Sequence, residues 1–384
     1  MSTFNGSRIS SATATRLFRS QQEKQDRKVK LSRTLFFKDV LRFRESVLPR
    51  VWTSVLGVTV YATLIAVADL LYGRRWQYSS AIAAPLSLVV GLLIAFRNST
   101  SINDRWNAGL ILWLNTMSDA RNLMRFLWLN IDIDAPARDG VESRSRDERL
   151  ARKVAAIRMV LAYLVATKHF LRAEPGINHA DLQELLTDDL KSRWLASINR
   201  PIEGTGGRTI LDGASQYQED SPLLEATVEE DPTDPALCLP LFILHELAAY
   251  VTGVRAAKMM EPAGPAGFST VNSLLNSLTS NLANLERIAN VRLPAIFVIH
   301  IKTVVVLYLF SLPLTLVGEL SWRMVPFVTI VAFIFIGLEG ISAEIEMPFG
   351  FDPSDHDLDF YTSQINHEAE HMMEFFSANT PSNE

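Results

Sequence analysis

Apolar positions along the chain gather into four long stretches arranged as two pairs. The first runs from Val51 to Tyr72 (VWTSVLGVTVYATLIAVADLLY) and is followed, after the link GRRWQYSS, by Ala81 to Phe96 (AIAAPLSLVVGLLIAF). The second pair is Leu293 to Val317 and Met324 to Ile341, joined by GELSWR. Lengths of 16 to 25 residues approach the span needed to cross a hydrocarbon core as helix. Buried helices of soluble proteins are usually shorter and rarely come as tightly linked pairs, so the pattern predicts two helical hairpins in a membrane. The fold class expected is an all-α integral membrane protein with four transmembrane helices.

Between the pairs the pattern changes period. From Arg97 to Asn130 apolar residues recur at three- and four-residue steps (Ile111, Leu114, Met117, Leu123, Phe126, Leu127) with no proline before Pro136, which predicts one long helix continuing out of the second span. Residues 154–172, 237–260 and 268–288 repeat the helical period. Residues 200–235, rich in Gly, Pro, Asp and Glu, predict a mobile surface loop. The first 34 residues are basic and rich in Ser and Thr, a composition of disordered segments that is also shared with organellar presequences. Three regions follow: a basic N-terminus at 1–34, a membrane and helical body at 35–362, and an acidic tail at 363–384.

Charge sets the orientation. Residues 1–50 hold twelve Lys and Arg against four Asp and Glu, while the two links hold only Arg74, Arg75 and Arg323 as bases, so the positive-inside rule places both termini in the cytosol. Residues 97–292 then form a large helical cytosolic region. The first fifty residues carry an excess of +8, so the rest of a chain of net charge −5 carries −13, which argues against nucleic acid as a partner. The single cysteine, Cys238, excludes an internal disulfide framework.

Several residues carry candidate chemistry. Ala84, Leu88 and Leu92 fall at i, i+4 and i+8 on one face of the second span, beside the small Ser87, Gly91 and Ala95. Such a stripe can line a narrow apolar pore or simply pack helix on helix. Pro85 is expected to free a backbone carbonyl and kink the span. His300, Lys302 and Glu339 are costly in lipid and are expected to face protein or water. After a Pro-Phe-Gly turn, Asp352, Asp355, Asp357 and Asp359 offer hard oxygen ligands of the kind calcium takes, or a solvated acidic turn. Finally HEAEH, at 367–371, has the spacing of a zinc peptidase helix. Only thirteen residues follow it, without a Gly-x-x-His, so a surface amphipathic helix over 364–376 is the better reading.

Three segments resemble the bestrophin channel family. FRNSTSINDRWNAGLILW at 96–113 is similar to its signature after the second span, matching at Arg97, Asn98, Ser101, Arg105 and Trp106 and departing at Asn107 and Ala108. NLERIANVRLPAIFVIHIKTVVVLYLFSLP at 284–313 and GLEGISAEIEMPFGFDPSDHDLD at 337–359 resemble two further family blocks. The resemblance implies a homopentamer whose second spans surround one axial pore, with a neck at Ala84, Leu88 and Leu92. It also implies a second constriction within Phe268–Leu275, and a calcium clasp in animal members at positions matching Asp352 and Asp355. The function expected is an ion channel in a lipid bilayer conducting chloride or other anions, needing no cofactor, with calcium as a candidate modulator. A cation-selective channel of the same fold and a membrane zinc peptidase are the alternatives.

Overall fold

Residues 46–73, 81, 83–134, 145–198 and 238–378 are described by the structure, a computed structural model. Helix α1, Leu48–Tyr72, starts with a proline in its first turn and stops at Gly73, whose positive φ of 67° lets its N–H turn back to the Asp69 carbonyl. Helix α2, Ala83–Thr100, runs without a break through a π-helical stretch, Ser101–Asn107, into α3, Ala108–Asn130. The predicted long helix is therefore real, and 48 residues are continuous. Helix α4, Arg146–Leu171, begins earlier than its apolar period because Ser145 and Glu148 form a capping box ahead of it. Then come α5 (Ala180–Gln183), α6 (Asp188–Ile198), α7 (Leu239–Ala256), α8 (Gly264–Asn290), α9 (Ala295–Leu320), α10 (Met324–Glu344) and α11 (Leu358–Ala378). No strand occurs among the described residues. The predicted N-terminal segment 1–34, the link with Arg74 and Arg75, the 200–235 loop and residues 379–384 of the tail lie outside them.

The chain divides into two units, one of residues up to Arg121 and from Asn276 onward, the other Asn122–Leu275. The core of the first is where α1, α2, α9 and α10 meet: Val58, Ala62, Val90, Ile94, Ile301, Val305, Leu309, Val328 and Ala332 are all buried there. In lipid the apolar effect gives no pull between helices, so close packing and polar contacts must hold them. Ala62 and Ala332, both 0% exposed, let α1 and α10 approach, and the hydroxyls of Thr59 and Thr329 meet at 2.9 Å between them.

The second unit is organised around α4, which packs mainly on α7. By length and composition α4 could also cross a membrane, yet 72% of its most apolar window is buried within the protein, against 22% for each of the other three apolar segments. It is a core helix, whereas α1, α2, α9 and α10 present apolar side chains outward in the manner of spans, among them Leu64, Ile296, Leu307 and Ile330.

Candidate functional site

Helix α2 has two unlike faces. Val90, Ile94 and Arg97 are buried, while Ala84, Leu88 and Leu92 lie together on the opposite, exposed face. Leu88 is 74% exposed and Leu92 54%, the stripe continuing through Ala95 and Ser99. The sequence-predicted trio is thus gathered on a face with no partner among the described residues. Pro85 is corrected: it falls in the first turn of α2, where a missing N–H removes no intrahelical bond, so it starts the helix and does not kink it.

Below the stripe, the signature residues anchor the helix. Arg97, Ser101 and Arg105 recur at four-residue steps and are all buried. Arg97 Nη1 donates to Glu339 Oε1 on α10 at 2.8 Å, with Glu346 Oε2 4.0 Å from Nη2. Lys302 Nζ on α9 lies 3.4 Å from the same Glu339 oxygen, so two of the three ionisable span residues form a pair, Lys302 remaining half-exposed. His300 is exposed. Ser342 Oγ donates to Asn98 Oδ1 at 3.3 Å. Arg105 Nη1 donates to the Ile288 carbonyl at 3.0 Å, a cation at the C-terminal end of α8, where the helix dipole favours one.

The π-helical stretch turns Trp106 onto the loop after α10. Its Nε1 donates to the Ser354 carbonyl at 3.0 Å, its own carbonyl lies 2.9 Å from His356 Nε2, and the Trp106 and His356 rings are 4.7 Å apart. One residue past Ala108, a Cβ on Gly109 would come 2.9 Å from Phe349 Cζ, so the first signature and the Pro-Phe-Gly turn touch at Gly109 and a larger residue there would push the Phe349 ring aside. Two of the three segments that carry the family resemblance are thereby joined.

Asp352 and Asp355 share the turn that follows. Asp355 Oδ2 accepts the Asp352 N–H at 2.8 Å, and Arg50 bridges Asp352 Oδ1, at 3.1 Å, to the Glu344 carboxylate. Asp357 Oδ1 accepts the Phe360 N–H, and Asp359 sits exposed in the first turn of α11. A calcium ion takes six to eight oxygens. In this structure Arg50 holds the cationic position beside Asp352 in the loop.

The HEAEH segment is part of α11. Glu368, its would-be catalytic acid, forms a two-point pair with Arg121 on α3, at 2.6 and 3.0 Å. Burial works to raise its pKa, but the hydrogen bonds from Arg121 and Gln364 outweigh burial and hold the carboxyl below its ordinary value. The segment is a docking face. Phe268, within the expected second constriction, lies under the Arg255 guanidinium at 4.0 Å, and Val271 and Leu275 are buried.

Arg50 was counted from the sequence only as an orientation charge, and Glu344 and Glu346 carried no role of their own beyond lying in the acidic block that ends at Asp359. A signal existed: Glu339, Ser342 and Glu346 fall at i, i+3 and i+7 on one face of the segment ending α10. For Arg50 there was none, because its partners lie about three hundred residues away.

Fold and site together define a helical membrane protein with an apolar helix face held by a buried polar belt. The profile of the family described as "Bacterial/Fungal Bestrophin protein" matches residues 27–371, and the chain belongs to that family. It is a channel-family protein and not an enzyme. A voltage-dependent anion channel-forming protein of Nostoc is 29% identical over 328 residues, covering 84% of this chain and 87% of that one. One from Synechocystis is 25% identical over 322 residues, covering 83% and 86%. Among solved structures, a bacterial bestrophin homologue from Klebsiella pneumoniae superimposes with a TM-score of 0.61 at 21% identity, covering 83% of this chain and 97% of that one.

Proposed function

We propose that five copies of the chain assemble around one axis, each contributing α2, to form a channel that conducts chloride and other small anions. The observation that carries this reading is the outward face Ala84, Leu88 and Leu92 on a helix whose other face is fixed by Arg97. Five such faces would enclose a narrow apolar neck, and a tube of that kind gates by shedding water unless it widens slightly. Both termini lie on the cytosolic side in this arrangement, as the basic N-terminal segment favours.

Anion conduction is favoured by the relatives, whose names describe anion channel-forming proteins. The neck carries no charged ring, so selectivity comes from pore width and helix N-terminal dipoles. A cation-selective variant is the second reading, favoured by the acidic surplus after residue 50. Reconstitution of the purified protein into planar bilayers under a chloride gradient decides between them. The expected reversal potential lies toward the chloride equilibrium value. A shift toward the cation value assigns the opposite selectivity, and no current at all sinks the channel reading.

A further inference from the structure

The second unit holds a cluster that the channel reading does not use. Helix α4 ends at Leu171, and the chain folds back at Ala173, held at a φ of 56°, and Gly176, at 104°. A left-handed backbone at a non-glycine residue is costly and persists only where the surroundings impose it. Here the reversal returns the Glu174 N–H to the His169 carbonyl at 3.0 Å and places Glu174 Oε2 2.6 Å from His169 Nδ1. The same His169 meets Asp181 Oδ1 at 3.0 Å through Nε2, and Asp181 is held in turn by Lys168. His179, just before α5, stacks on the His169 ring at 3.8 Å and 10°, and its own Nε2 is buried with no hydrogen-bond partner.

We infer that His169, Glu174 and His179 form a binding site for a first-row transition ion of zinc's class. One donor atom from each of the three lies within 4.8 Å of the others. Two imidazoles and one carboxylate are a donor set that zinc accepts, with a fourth position left to water. The assignment consistent with the hydrogen bonds is His169 Nδ1, Glu174 Oε2 and His179 Nε2. It leaves His169 Nε2–H donating to Asp181, the carboxylate–histidine arrangement that fixes the tautomer of a metal-bound ring.

Zinc sits about 2.0–2.1 Å from each donor, so the cluster contracts on loading. The stacked rings also have side-by-side lone pairs, and the His179 ring therefore turns about its Cβ–Cγ bond to aim Nε2 at the ion. His169 Nδ1 and His179 Nε2 must both be unprotonated to bind, so any proton on either is released to solvent and affinity falls with acidity. The ion would pin the 172–183 segment to the end of α4.

Zinc titrated into the detergent-solubilised full-length protein, in competition with a chromophoric chelator, tests this. The wild type should take up one zinc per chain. His179→Ala and Glu174→Gln should each weaken it by more than about 100-fold, and Asp181→Asn, which touches only the orienting bond, by about 10–100-fold. Because His169 is buried and its loss endangers the fold, the half-buried His179 is the decisive position. A His367→Ala/His371→Ala double variant controls for the other histidine pair and should bind as the wild type does. Undiminished binding by His179→Ala, loss of binding in the double variant, or no saturable uptake by the wild type each overturns the site.

Discussion

Arg97 has a side chain only 1% exposed, and a buried guanidinium left without a carboxylate is among the costlier defects a fold can carry. Glu339 provides the near partner, and Glu346, at 4.0 Å, is too distant to replace it. Glu339→Ala should therefore destabilise the protein by about 3–5 kcal/mol, read as a lowered thermal midpoint in detergent. Lys302→Ala removes the half-exposed member of the same cluster and should cost under about 1 kcal/mol. Equal losses from the two would mean that the buried pair does not dominate. Arg50 carries a different consequence. With its guanidinium between Glu344 and Asp352, wild-type currents should not change between chelator and about 1 mM calcium. A calcium response in the wild type would show that Arg50 leaves that position.

At the scale of the element, α2 shows what the sequence could and could not convey. The i, i+4, i+8 stripe was readable because helical period alone decides which residues share a face, and Leu88 and Leu92 do emerge together on the exposed side. Pro85 was misread because its effect depends on where the helix begins, and the apolar run starting at Ala81 does not mark the helix start at Ala83. The same limit applies to α4, whose 26 residues are apolar enough for a span although they fill a protein core; only burial separates the two. Arg50 and Glu344 escaped for a third reason, since pairing across the chain leaves no local pattern.

Helix α11 gives the pH prediction at this scale. Glu368 titrates below its ordinary value when α11 is docked, so the Arg121 pair stabilises the docked helix above the ordinary carboxylate pKa. That contribution is lost as pH falls through the lowered folded value. The pair is partly exposed, which limits it to at most about 1 kcal/mol. The difference in hydrogen-exchange protection of α11 between wild type and Arg121→Gln should be present near neutrality and fade as the pH falls below the ordinary carboxylate range. A difference that persisted in acid would point to packing, such as that of Ile365 and Ala369, as what Arg121 supports.

At the scale of the whole molecule, the described residues leave large apolar side chains of α1, α2 and α10 facing outward. Lipid can cover Leu64 on α1 or Ile330 on α10 at no cost, since hydrocarbon is as apolar as they are. Lipid could cover Leu88 equally well, so exposure alone does not separate a pore face from a lipid face. Substitution does. At a lipid-facing position Leu→Ala changes contact with acyl chains and leaves conduction alone, whereas in a five-fold neck each substitution removes five side chains from one ring. Leu88→Ala and Leu92→Ala should thus each widen the neck and raise open probability in planar bilayers, while Leu64→Ala and Ile330→Ala leave it unchanged. The purified particle should have a mass near five times the 43.0 kDa chain. Wild-type gating in both neck variants would remove α2 from the conduction path, and a monomeric particle would remove the axis itself.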